Sequence, residues 1–202
     1  MYYGPDILIK AGVTIDGMDS DESALLLNIP LAFCNAVGTV LAVVFIDWGG
    51  RRYLMLRMLP ISAIAWLITA LGMYLFTYTS FVNGSYVSFA GIVIFLLSFG
   101  LGMAAQPWTI NSEIYPLHVI GTANSLSTTT NWVSNFVVAT LFLIFHETDL
   151  GSVISFLVLA LFAMLAWLFT YVLVPETAGK PIDRILEEIL GQSGGESPHH
   201  AF

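Results

Sequence analysis

Charge is what this sequence has least of. Only 10% of its 202 residues are Asp, Glu, Lys or Arg, where a soluble domain carries about 25%. Between residues 58 and 112 there is none. Basic residues are the scarcer sign, six against 14 acids. The formal net charge of −8 does not call for a basic partner, because most of the acids fall in loops and in the tail. No nucleic-acid partner is expected. Cysteine is almost absent too. Cys34 stands alone in an apolar block, so it forms no intrachain disulfide and is expected to be an inert core residue. There is no CxxC, no Cys/His cluster and no zinc spacing, so neither a metal site nor a cofactor is expected. His118, His146, His199 and His200 fall in loops or in the tail. An intramembrane enzyme needs paired acids, His or Cys at membrane depth, and with no such set the chain is not expected to be an enzyme. Residues 1–10 lack a basic n-region, and Pro5 and Asp6 break their apolar run. They fit neither a signal peptide nor a span.

What is present is apolar surface, with 57% hydrophobic residues and a mean hydropathy of +0.82. It is gathered into five blocks, 24–46, 53–78, 86–110, 122–145 and 152–174, with Arg57 near the start of the second. A charge at the centre of a span costs roughly 2.5–3.5 kcal/mol on insertion scales, so such blocks are what a bilayer selects. As a helix the first would measure about 34 Å against a hydrocarbon core of about 30 Å, which implies tilt. In lipid only helices or closed barrels satisfy the backbone. The blocks are continuous rather than alternating, so an all-α polytopic membrane protein is expected, with its helix bundle over 24–174 and membrane lipids around it.

Arg51, Arg52 and Arg57 follow the first block, and Lys180 and Arg184 follow the fifth. With alternating spans these five share one face. The other face has Lys10 beside Asp16, Asp19, Asp21, Glu22, Glu147 and Asp149. The positive-inside rule then puts the C-terminus in the cytoplasm. Residues 1–23 precede the bundle, ending in an external loop, and 175–202 form a cytoplasmic tail. In that tail 181–190 predicts a short amphipathic helix, its apolar residues 182, 185, 186, 189 and 190 set against Asp183, Arg184, Glu187 and Glu188. Asn83-Gly84-Ser85 fits an N-glycosylation acceptor in a very short external loop.

The third and fourth blocks are not uniformly apolar. Gln106, Asn111, Gly100 and Gly102 interrupt the third, and Pro107 predicts a kink there. The fourth carries Thr128, Thr129, Thr130, Asn131, Trp132, Ser134 and Asn135, and the first carries Asn35. An amide in hydrocarbon either glues helices together or faces a wet cavity. Asn131 and Asn135 are four residues apart and share a helix face. With Trp132 beside them they favour a ligand surface. Amides bond hydroxyls and an aromatic face covers C–H groups, which suits a neutral polyhydroxylated ligand. On the basic side Arg51 and Arg52 stand ready to pair with Glu113 and Glu176 across helix ends, or these are ordinary helix-end charges of little energetic weight.

Taken in order, Tyr2-Tyr3-Gly4-Pro5, Asp47-x-x-Gly50-Arg51-Arg52, Pro107-Trp108 with Ser112-Glu113, Asn131-Trp132-x-x-Asn135 and Pro175-Glu176-Thr177-x-Gly179 resemble the C-terminal half of the sugar porter branch of the major facilitator superfamily. The form Trp108-x-x-Asn111-Ser112-Glu113-Ile114-Tyr115-Pro116-Leu117 is similar to the inositol transporters of that branch. The resemblance implies a six-helix half of the fold with its helix 7 truncated, leaving five complete spans. It implies substrate contacts for Asn35, Trp108, Asn131, Trp132 and Asn135, and gate roles for Arg51, Arg52, Glu113 and Glu176. Trp48, His118 and Ile120 stand where the family tends to be basic, and Ala104 where it tends to have glycine. By the resemblance helices 1 to 6 are missing, and the chain is expected to be a fragment whose partner is the N-terminal half. The implied activity is transport of a neutral polyol or hexose, inositol-like or glucose-like, with protons an open coupling partner (a symporter). The alternative is a non-transporting half-carrier that acts as a sensor or dimerises.

Overall fold

The computed structural model describes residues 7–9, 13, 18–79, 83–181 and 184–187, without the side chains of Ser20, Ala24, Asp47, Trp48 and His146. Tyr2, Tyr3, Gly4, Pro5, Lys10, Asp16, His199, His200 and most of the expected tail helix 181–190 lie outside the described residues, although 184–187 are helical. All regular structure among the described residues is α-helix: α1 (Ser20–Gly49), α2 (Arg51–Thr79), α3 (Gly84–Gly102), α4 (Gln106–Glu113), α5 (Ile120–His146) and α6 (Asp149–Leu173). Five stretches are long and apolar enough to cross a membrane, α3 and α4 together making the third, Gly84–Glu113. Several helices overrun their apolar blocks by a few residues. Asp21 and Glu22 occupy the first turn of α1, where the helix dipole favours acids.

The third span is not one helix kinked at Pro107. It breaks between Gly102 and Gln106, and Pro107 sits in the first turn of α4, where a missing backbone donor costs nothing. Gln106 is wholly buried and bridges the gap. Its Nε2 donates to the Leu101 carbonyl at 2.6 Å, and its Oε1 accepts from the Ala105 amide at 3.3 Å. A side-chain amide thus substitutes for backbone bonds that the break leaves open.

Lipid tails are as apolar as leucine, so helices in a bilayer associate through close approach and hydrogen bonds. The α2–α3 seam shows both. A Cβ on Gly84 would come within 2.6 Å of the Phe76 nitrogen, and one on Gly91 within 2.8 Å of the Ala65 oxygen. Ser62 Oγ lies 2.8 Å from Ser98 Oγ, and Ser88 Oγ donates to the Thr69 carbonyl at 3.3 Å. α6 lies on another side of α2, and α1 crosses α3 where Gly38 meets Gly100. Between these helices Trp66 sits against Phe95 and Phe156, ring centroids 4.0 and 5.5 Å away. α5 is different. It packs chiefly on α6 and α4, and none of its described side chains is buried.

The α1–α2 corner explains the Gly-Arg-Arg spelling. Gly50 has φ +83°, a conformation open to glycine at no steric cost. A Cβ there would also fall 2.6 Å from Glu176 Oε2. With that space clear, the Glu176 carboxylate accepts from the amides of Arg51 at 3.0 Å, Tyr53 at 3.3 Å and Ala178 at 3.1 Å. An acid from the segment after α6 therefore caps the start of α2.

Two stability predictions follow from this packing, both read by thermal unfolding in detergent or nanodiscs. Gly91→Ala should destabilise by about 1–3 kcal/mol through overpacking. Gly121→Ala, with nothing within 4 Å of its Cβ, should leave the midpoint unchanged or slightly raised; equal losses at both positions would refute the seam argument. Glu176→Ala should cost about 0.5–2 kcal/mol as a lost helix cap, and Glu176→Gln, which keeps an acceptor without the charge, should fall between. A Glu176→Ala protein as stable as the parent would exclude the cap.

Candidate functional site: an amide-lined cavity and a charge cluster

The structure sorts the polar residues of α5. Thr129 Oγ1 donates to the Ser125 carbonyl at 2.8 Å and Thr130 Oγ1 to the Leu126 carbonyl at 2.9 Å. These hydroxyls are satisfied by their own helix. Asn131, Ser134 and Asn135 instead line a cavity of about 410 Å³. Apart from Asn28, its remaining wall is apolar and aromatic, with Trp66, Phe95, Phe142 and Phe156 among the lining residues, and it holds no charged side chain. The α5 span is the least apolar of the five, with a best-window mean hydropathy of 1.3 against 2.5 for α6. That lower value reflects polar groups aimed at a cavity as well as groups turned on their own backbone.

Of the five substrate contacts implied by the resemblance, the structure brings Asn131 and Asn135 together. Trp132 is 59% and Trp108 46% exposed, and neither lines this cavity. Asn35 also lies outside the lining, with its Oδ1 buried and unpartnered among the described residues. The residue that sequence reasoning missed is Asn28. It lines the cavity from α1, and its Oδ1 is likewise buried without a partner. Its seven-residue spacing from Asn35, two turns along one helix face, was the available clue. Trp66, a single indole inside the second apolar block, gave none. Cys34 is only partly buried, so it is not the core residue expected.

At the other end of the bundle Arg51 Nη2 meets Glu113 Oε1 at 3.0 Å, with side chains 20% and 27% exposed. Among the described side chains Arg52 reaches no carboxylate. Its Nη2 donates to the Tyr171 carbonyl at 2.7 Å, in the last turn of α6, where the helix dipole favours a cation. Glu176 forms no pair with either arginine side chain, because its oxygens serve the α2 amides. The pairing expected for it is corrected to a helix cap. Asn111 ties this region to α5: its Nδ2 donates to Asn124 Oδ1 at 2.5 Å, and its Oδ1 accepts from Ser127 Oγ at 2.9 Å. His118 is exposed. The sequon places Asn83 exposed at the turn before α3, but Ser85 is buried in the first turn. No group of His, Cys, Asp and Glu among the described residues could hold a metal ion.

Comparison with known proteins bears on this arrangement. The family profile described as "Sugar (and other) transporter" matches residues 1–189. The chain is 38% identical over 103 residues to probable inositol transporter 2 of Arabidopsis thaliana, covering 51% of this chain and 18% of that protein. It is 33% identical over 195 residues to probable plastidic glucose transporter 3 of the same plant, covering 95% and 36%. The chain thus spans about a third or less of the curated relatives it matches. Among solved structures, the proton:xylose symporter XylE bound to 6-bromo-6-deoxy-D-glucose superposes with a TM-score of 0.71 at 25% identity, covering 91% of this chain and 37% of that one. These relatives are transporters of the major facilitator type rather than enzymes. With a family profile that covers nearly the whole chain and a five-span fold shared with a solved member, the chain belongs to the sugar transporter family of the major facilitator superfamily.

Proposed function

We propose that this chain is the C-terminal half of a carrier that moves a neutral polyol or hexose across a membrane by alternating access. The observation that carries this reading is the cavity, where Asn28, Asn131, Ser134 and Asn135 face one space with Trp66 and no charged side chain. Amides and a hydroxyl can donate to and accept from ligand hydroxyls, while the aromatic wall covers C–H faces. Its volume, about 410 Å³, lies in the range of small-molecule sites, about 300–1,000 Å³. A charged substrate would enter without a counter-ion, which is costly in a water-poor site. Among the relatives, one is named an inositol and one a glucose transporter, and the Asn111-Ser112-Glu113 spelling favours the inositol-like ligand. Proton coupling stays a feature of the neighbour named a proton:xylose symporter. The basic end of the bundle, with Arg51 and Arg52, is the cytoplasmic one in this reading, which places the C-terminus inside.

α5 supports the expectation of a partner bundle. Its polar, unburied length is the face that a second half would cover in a carrier. The same face would serve a half-carrier that dimerises as a sensor, and crosslinking in membranes separates the two by whether the partner is a second copy. Vesicles containing the assembled carrier should take up labelled inositol or glucose, and uptake of neither would refute the transport reading. Asn131→Ala should weaken apparent affinity about 10-fold, the value of roughly one hydrogen bond, with surface expression unchanged. Unaltered affinity would remove Asn131 from the site.

A further inference from the structure

The cavity contains an amide that the resemblance does not account for, that of Asn28. A buried carbonyl oxygen without a donor loses its water bonds and gains nothing in return, so native structures rarely keep one. An asparagine that only joined helices would have both ends of its amide engaged by neighbouring chain. Asn28 Oδ1 has no such partner among the described residues, and Asn28 belongs to the wall shared with Asn131, Ser134 and Asn135. Ser85 Oγ is likewise buried without a partner but does not line the cavity, and several other hydroxyls of the bundle are satisfied. Ser62 pairs with Ser98, and Thr69, Ser155 and Thr170 donate to carbonyls of their own helices.

We propose that Asn28 is a specificity-determining residue of the substrate site, whose side-chain oxygen accepts a hydrogen bond from one hydroxyl of a neutral polyhydroxylated ring held also by Asn131 and Asn135. This inference rests on the transport reading above and deepens it by assigning a direction to one contact. The oxygen can only accept, so the matching ligand position must carry an O–H. A ring with hydrogen, fluorine or a carbonyl there leaves the acceptor unsatisfied. A site built to bond a hydroxyl discriminates against the analogue lacking it more sharply than an apolar pocket discriminates by size. Because α1 and α5 both contribute amides, the ring is recognised from two helices, and its orientation is set as well as its presence.

The test uses the assembled carrier in lipid nanodiscs, with ligand titrations followed by tryptophan fluorescence, since Trp66 lines the same cavity. The probes are myo-inositol, glucose and the singly deoxygenated derivatives of each. The parent protein should bind one of the two and lose about 10-fold for at least one deoxy derivative. Asn28→Leu, close in volume and apolar, should weaken the parent ligand about 10-fold and erase that discrimination. Its thermal midpoint without ligand should stay equal or rise, because an unsatisfied buried acceptor has been removed. Asn28→Ser, which retains an acceptor, should keep part of the discrimination. A fall in the midpoint of Asn28→Leu with the deoxy discrimination intact would make Asn28 a structural residue and overturn the inference. So would an Asn28→Leu protein that binds and discriminates as the parent does, while leaving the transport reading standing. An assembled carrier that is folded yet binds no polyol at all would overturn both.

Discussion

A polar group that enters hydrocarbon must bring its own partner, and the rest of this structure follows from that constraint. Water is absent, so an unpaired donor or acceptor costs several kcal/mol by transfer estimates. The chain meets the constraint by turning threonine and serine hydroxyls onto their own helices, as at Thr69, Thr129, Thr130, Thr140 and Thr170. Where a helix breaks, Gln106 bridges it. Where a helix begins, Glu176 caps it. Against that background the orphaned amide oxygens of Asn28 and Asn35 are conspicuous. They lie along the one α1 face that approaches the cavity. Ser85 Oγ and Thr177 Oγ1 are also buried without a partner, so it is the place of Asn28 on the cavity wall, together with its open acceptor, that points to a ligand.

The spans were legible because exclusion of charge is a one-dimensional property, written directly in the order of residues. The pair Arg51–Glu113 was legible for a related reason: charges at the ends of alternating spans must collect at the same face. What the sequence concealed were decisions between equal partners. Pro107 pointed to a kink at its own position, yet the helix opened before it, because a side-chain amide at Gln106 could replace backbone bonds and Pro107 could then start a new helix. Glu176 was equally able to meet a guanidinium or a row of amides. The space beside Gly50 decided for the amides, and no pattern along the chain reveals that space. Likewise Asn131 and Asn135 announced a shared face, but the matching wall from Asn28 and Trp66 comes from helices far away in sequence.

α4 is where the two halves of the site meet. One end is held by Glu113 on Arg51, the middle by Asn111 on Asn124 and Ser127, and the other end by Gln106 across the break. Only eight residues long, it is tied to α2 by a charge and to α5 by amide and hydroxyl bonds, yet joined to α3 through non-helical residues. At the break the regular ladder gives way to the Gln106 amide, with the Met103 and Ala104 amides both donating to the Phe99 carbonyl. Asn131 lies one turn beyond Ser127 on α5. The Arg51–Glu113 pair and the Asn111 bonds to α5 are thus joined through one short helix. In the proposed carrier, that linkage gives a substrate held by Asn131 a mechanical connection to the charge cluster at the far end of the bundle.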